Sequence, residues 1–127
     1  RDLMTPRVAA PTLKASLSIE SQRTRLMENN SPWWVVLGDQ VDNVLGVASR
    51  ERLLTALLEN RGLLTPVDLC EQVDYVPEMI RADRLLTGFR KDSSGVRVVV
   101  DEFGGFVGVI GAEAVLAVLA GWWRKPT

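Results

Sequence analysis

The run Val98-Val99-Val100-Asp101-Glu102-Phe103-Gly104-Gly105-Phe106-Val107-Gly108 reads as a β-hairpin. Three consecutive valines favour a buried strand, and Asp-Glu-Phe-Gly-Gly interrupts it with residues that tolerate a tight turn. The two glycines are expected to supply the positive φ angles of that turn. No helix start follows them directly, so they are not a phosphate loop. Asp101 and Glu102 are neighbours on extended backbone, so their carboxylates point to opposite faces and do not converge on one ion.

Outward from this hairpin the pattern predicts a helix over about Ile80 to Lys91, a strand Val96 to Val100, a returning strand Phe106 to Ile110 and a helix from Ala112. The same order occurs earlier. At an offset of 62, Gly46 falls on Gly108, Val47 on Val109, Glu51 on Glu113, Leu54 on Leu116 and Leu57 on Leu119. With a one-residue shift in the turn, Trp33 to Leu37 falls on Val96 to Val100, Ser31 on Ser94 and Leu26 on Phe89. One supersecondary unit therefore occurs twice. The first copy predicts a helix Ile19 to Asn29 capped by Ser18, strands Trp33 to Leu37 and Val44 to Ala48, and a helix Arg50 to Glu59 stopped near Gly62. Short extended segments, Val8 to Leu13 and Tyr75 to Met79, lead into the copies. The expected fold is α/β (α+β), two β-α-β-β-α repeats over residues 1–64 and 65–127. Neither copy covers its own sheet, so the two are expected to pack as a pseudo-twofold pair.

Composition narrows the function. The 127 residues are 46% hydrophobic and 24% charged, as in a soluble globular chain. Fifteen basic and 16 acidic residues give a net charge of −1, without the basic excess of a nucleic-acid binder. The absence of histidine excludes Ser-His-Asp and Cys-His nucleophilic sites and histidine-ligated metals. One cysteine, Cys70, forms no intrachain disulfide and is expected to be a small buried apolar residue. The longest uncharged apolar run, Ala114 to Trp123, would rise only about 15 Å as a helix, half a bilayer core. The chain opens with Arg1-Asp2 and no signal-peptide pattern, and it reads as a piece of a longer protein. Neither a catalytic constellation nor a metal site is expected.

Four pieces carry a resemblance: Leu3-Met4-Thr5-Pro6-Arg7; Gly38-Asp39 with Asp42-Asn43-Val44-Leu45-Gly46-Val47; Tyr75-Val76-Pro77-Glu78; and the hairpin quoted above. Together they resemble a tandem pair of cystathionine-β-synthase (CBS) domains, a Bateman module, and more narrowly the pair found in the CorC/HlyC group of magnesium and cobalt efflux, haemolysin-like membrane proteins. The resemblance implies a regulatory part on the cytoplasmic side of a membrane protein. It implies a homodimer, the membrane domain of the same chain as partner, and AMP or ATP as ligand.

The family's nucleotide signature is Gly, two apolar residues, Ser or Thr, two residues, Asp: the hydroxyl and adjacent free amides hold phosphate, and the Asp accepts from ribose. Here the first copy reads Gly46-Val47-Ala48-Ser49-Arg50-Glu51-Arg52 and the second Gly108-Val109-Ile110-Gly111-Ala112-Glu113-Ala114. Ser49 keeps the hydroxyl. Arg52 has only donors and could meet phosphate but not ribose hydroxyls. Gly111 and Ala114 lose both polar groups. The expected first-copy site is Ser49 and Arg52 with Trp34, Val36 and Val47 as adenine walls, and a degenerate pair is preferred over a working nucleotide sensor. Trp33 and Trp34 alternate across a strand, so one enters the core. Trp122-Trp123 is expected at a dimer contact or against a neighbouring region of the full-length chain, and Arg81, Arg84, Arg90 and Lys91 are expected to form a solvated face.

Overall fold

The computed structural model describes residues 3–40, 43–91 and 95–124. The side chains of Trp122 and Trp123, and that of Lys91, lie outside what is described. The elements are β1 (Thr5–Pro6), β2 (Thr12–Lys14), α1 (Arg23–Glu28), β3 (Trp33–Leu37), β4 (Val44–Ser49), α2 (Arg50–Leu58), β5 (Tyr75–Pro77), α3 (Ala82–Lys91), β6 (Val96–Val100), β7 (Phe106–Gly111) and α4 (Ala112–Arg124). The fold is α+β with two small sheets, in the orders β2-β3-β4 and β1-β7-β6-β5.

The chain divides into two compact units, Ala10–Gln72 and Arg1–Ala9 with Val73–Thr127. This differs from the expected division at residue 64. The leading segment, grouped in the sequence reading with the first repeat, contributes β1 to the second repeat's sheet, Thr5 opposite Val109 and Pro6 opposite Gly108. Gln72, expected in the second repeat, closes the first unit.

Each unit repeats one plan. In the first, β2 runs parallel to β3, and β3 turns back as β4 with Val35 opposite Val47 and a register shift at Val36/Leu37. In the second, β5 runs parallel to β6, and β6 returns as β7 with Val98 opposite Val109 and a shift at Val99/Val100. The repeated shift is a β-bulge, which tightens the local twist of the hairpin. Each bulge precedes a glycine that lets another strand close in. A Cβ at Gly46 would stand 2.5 Å from Glu71 O, and Val47 and Glu71 exchange backbone hydrogen bonds of 3.0 and 2.7 Å. A Cβ at Gly108 would collide with Thr5 O of β1 and stand 2.8 Å from the Met4 side chain.

In each unit one face of the sheet carries the cluster packed with the helices, and Val35, Val47 and Val98 on the opposite faces are buried as well. In the first unit Leu13, Ile19, Leu26, Trp34, Val36 and Leu53 are at most 1% exposed and belong to one cluster. Each such burial contributes about 1.5–3 kcal/mol. In the second, Val76, Leu85, Val99, Ile110 and Val115 do the same work, with Leu3 and Met4 packed against them.

The helices are shorter than expected. The first begins as a 3-10 turn, Glu20–Gln22, where Ser18 Oγ accepts the Ser21 amide at 3.1 Å, and turns α-helical only at Arg23. The second ends through Asn60 rather than Gly62. Asn60 takes φ 62°, Arg61 N–H donates to Ala56 O (2.7 Å) and Asn60 N–H to Leu57 O (3.2 Å), the paired bonds of a Schellman stop. In the second hairpin Gly104 alone of the two turn glycines takes positive φ, 82°. Asp101 Oδ1 accepts from Phe103 N (2.9 Å) and Gly105 N (2.8 Å), so this carboxylate is the turn's brace.

Candidate functional site

The first-repeat signature is built at the joint between β4 and α2. Ser49 ends the strand, and its Oγ accepts the Arg52 amide at 3.1 Å, capping a nine-residue helix. The antiparallel register places Trp33 opposite Ser49. Both line a cavity of about 510 Å³ with Asn30, Pro32, Arg50 and Glu51. Arg50 N–H donates to Pro32 O (2.8 Å), and its Nη2 donates to Leu26 O (2.9 Å), pinning the start of α2 to the end of α1. Arg50 Nε is buried with no acceptor among the described residues.

Ser49 is therefore where the signature requires it, but two first-turn amides are already engaged. Arg50 N–H serves Pro32 O and Arg52 N–H serves Ser49 Oγ. The expectation that free amides there hold phosphate is reduced accordingly. The Ser49 hydroxyl proton can still donate to an anion. Arg52 is exposed on α2 and, like Glu51, faces solvent.

The expected adenine walls need correction. Successive side chains on a strand alternate faces. Trp34, opposite Ala48, and Val36, opposite Gly46, lie on the core face and are 1% and 0% exposed. Val47 pairs with Val35 on the other face, the one Trp33 and Ser49 share. Trp34, Val36 and Val47 thus cannot wall one ligand. Trp34 is held in the core by its indole Nε1–H, which donates to Ser31 O at 3.0 Å. The aromatic beside Ser49 is Trp33, half-buried. Counting back across the hairpin from Ser49 would have found it, because antiparallel partners share parity.

In the second repeat the corresponding joint has Gly111 and Ala114. A Cβ at Gly111 would meet the Glu113 carboxylate at 2.9 Å, so this joint is closed by its own glutamate. Cys70 is partly buried against the first core, and desolvation by burial pushes its thiol pKa up. Arg81, Arg84 and Arg90 are exposed, as expected of a solvated face. Among the described residues there is no group of three or more acidic or cysteine side chains placed to hold a metal ion, and no helix is long and apolar enough to cross a membrane.

No protein-family model matches the chain. It is similar to UPF0053 protein sll1254 of Synechocystis sp., with 38% identity over 120 residues, 94% of this chain and 35% of that protein. It is similar to the magnesium and cobalt efflux protein CorC of Escherichia coli, with 28% identity over 121 residues, 95% of this chain and 41% of that protein. The chain thus spans well under half the length of these curated relatives. Among solved structures, the CBS domain of the bacterial CNNM/CorC family Mg2+ transporter superposes with a TM-score of 0.84 at 30% identity, covering 94% of this chain and 73% of that one. The structure of that family's CBS domain in complex with ATP superposes at 0.86 and 29% identity, covering 94% and 85%.

Proposed function

The chain belongs to the CBS-domain proteins of the CNNM/CorC family, and from that premise we propose that it is the regulatory and dimerisation module of a CorC-like membrane protein concerned with magnesium or cobalt movement. It works on the cytoplasmic side, against a second copy of itself and the membrane domain of its own full-length chain. It carries no catalytic centre, and its adenine-nucleotide site is degenerate.

The observation that carries this reading is the loss of the ribose acceptor in both repeats. Arg52 and Ala114 stand where the signature needs a carboxylate, and Gly111 replaces the second hydroxyl. A ribose hydroxyl buried without an acceptor costs about 1–3 kcal/mol. The burial of Trp34 and Val36 in the core supports it further, since neither offers a face to a base.

A second reading is favoured by one feature, the cavity shared by Ser49 and Trp33. In that reading AMP or ATP stacks on Trp33, its phosphate meets Ser49 and Arg52, and the module gates the attached membrane domain. A relative solved with ATP bound is consistent with this.

Thermal unfolding of the chain titrated with AMP, ADP and ATP, with and without Mg2+, separates the two. The degenerate module gains less than about 0.5 kcal/mol at millimolar nucleotide, whereas a sensor gains about 2.7 kcal/mol at a hundred times its dissociation constant. A gain of that size, abolished in Ser49→Ala, would overturn the degenerate reading.

A further inference from the structure

A cavity of about 340 Å³ opens in the second unit. Its walls are apolar: Leu3 and Met4 from the segment leading into β1, Ile80 and Leu85 from the start of α3, and Val99 and Ile110 from the sheet. Its exposed side carries Met79, 90% exposed, and Glu78, the one charged residue of the lining.

The first repeat shows why this space is open. Leu85 corresponds to Gln22 at the same 63-residue offset that places Phe89 on Leu26. Gln22 is 4% exposed, and its amide laces the loop after β2: Oε1 accepts Lys14 N–H at 2.7 Å, and Nε2 donates to Lys14 O at 3.0 Å and Leu17 O at 3.2 Å. Lys14 corresponds to Pro77, which has no N–H to satisfy. With proline there, leucine replaces the glutamine and the lacing is gone. The loop Glu78–Ile80 keeps only the backbone ties the two repeats share: Glu78 N–H to Val100 O (3.2 Å) and Ile80 N–H to Pro77 O (3.1 Å), matching Ala15 N–H to Leu37 O (2.8 Å) and Leu17 N–H to Lys14 O (3.4 Å).

We propose that this cavity, between the Leu3–Met4 segment and α3, binds a small hydrophobic cation, its apolar part among Met4, Leu85, Val99 and Ile110 and its positive head at Glu78. The volume lies within the range of small-ligand sites, with apolar walls and a single charged group to set orientation. Two methionines line it, and their unbranched thioethers adapt to chains of different shape. The carboxylate selects the sign of the head group, because an anion there would meet like charge. The inference is independent of the nucleotide question.

The test is a titration of the full 127-residue chain, labelled with 15N and methyl 13C, with octylammonium and with octanoate. Octylammonium is expected to saturate with a dissociation constant of about 1 mM, shifting the Met4, Leu85, Val99 and Ile110 signals, while octanoate binds at least tenfold more weakly. Glu78→Gln, an exposed substitution that leaves the core intact, should bring the two within threefold. Leu3→Phe and Leu85→Phe, each checked for a native spectrum, should weaken octylammonium at least fivefold by filling the space. The proposal is overturned if no saturable shift maps to these residues, if octanoate binds equally well, or if a folded filling variant binds octylammonium unchanged.

Discussion

Trp34 and Arg97 hold the same place in the two repeats, each the second residue of the central strand and each facing its own helices. Trp34 is 1% exposed and Arg97 3%. The indole settles its single donor on Ser31 O. The guanidinium donates from Nη1 to Val96 O at 3.0 Å, lies 4.5 Å over the Phe89 ring and stands 4.0 Å from the Asp74 carboxylate. The neighbouring helix compensates. Where the strand carries tryptophan, α1 offers Leu26; where it carries arginine, α3 offers Phe89, so the aromatic ring has moved from sheet to helix. Gly88 makes the remaining room, for a Cβ there would stand 3.3 Å from Arg97 Nη2. At the matching place in α1, Arg25 instead reaches Thr12 through Nε to the carbonyl (3.0 Å) and Nη2 to the hydroxyl (3.1 Å). What the position requires is volume and satisfied donors, not a particular residue type.

That equivalence can be broken in a graded way by urea unfolding of single variants. Trp34→Ala empties the first core and should cost about 4 kcal/mol. Gln22→Leu, which writes the second repeat's residue into the first, should cost about 2 kcal/mol, because Lys14 keeps an amide that Pro77 lacks. Arg97→Met should stabilise by about 1 kcal/mol, since a buried charge is exchanged for a thioether that still packs on Phe89. If Arg97→Met were as costly as Trp34→Ala, the guanidinium would be an organising ion and the two positions would not be equivalent.

Much of the architecture was legible because it is local. The strand-turn-strand-helix order follows from alternating apolar runs punctuated by glycine and Asx residues, and the duplication fixed it twice. Helix ends were less legible. Gly62 looked like the stop, but Asn60 takes the left-handed turn, and α1 is shortened because Gln22 turns its side chain back onto the β2 loop. The sheet that receives Thr5–Pro6 could not be read at all, since a two-residue strand carries no pattern and its partner lies about a hundred residues away. Ser49, expected from its motif, caps α2 at the end of β4. Trp34 was chosen over Trp33 because the motif gives spacing along the chain but not which face a side chain takes; only the pairing across the hairpin decides that.

The membership of β1 in the second sheet has a consequence for biosynthesis. Val109 and Gly108, the partners of Thr5 and Pro6, leave the ribosome roughly 100 residues after them, a wait of about 5–20 s at ordinary elongation rates. Residues Ala10–Gln72, contiguous in sequence, can close meanwhile into a compact unit. The contiguous unit can thus finish before the one whose strands flank it in sequence.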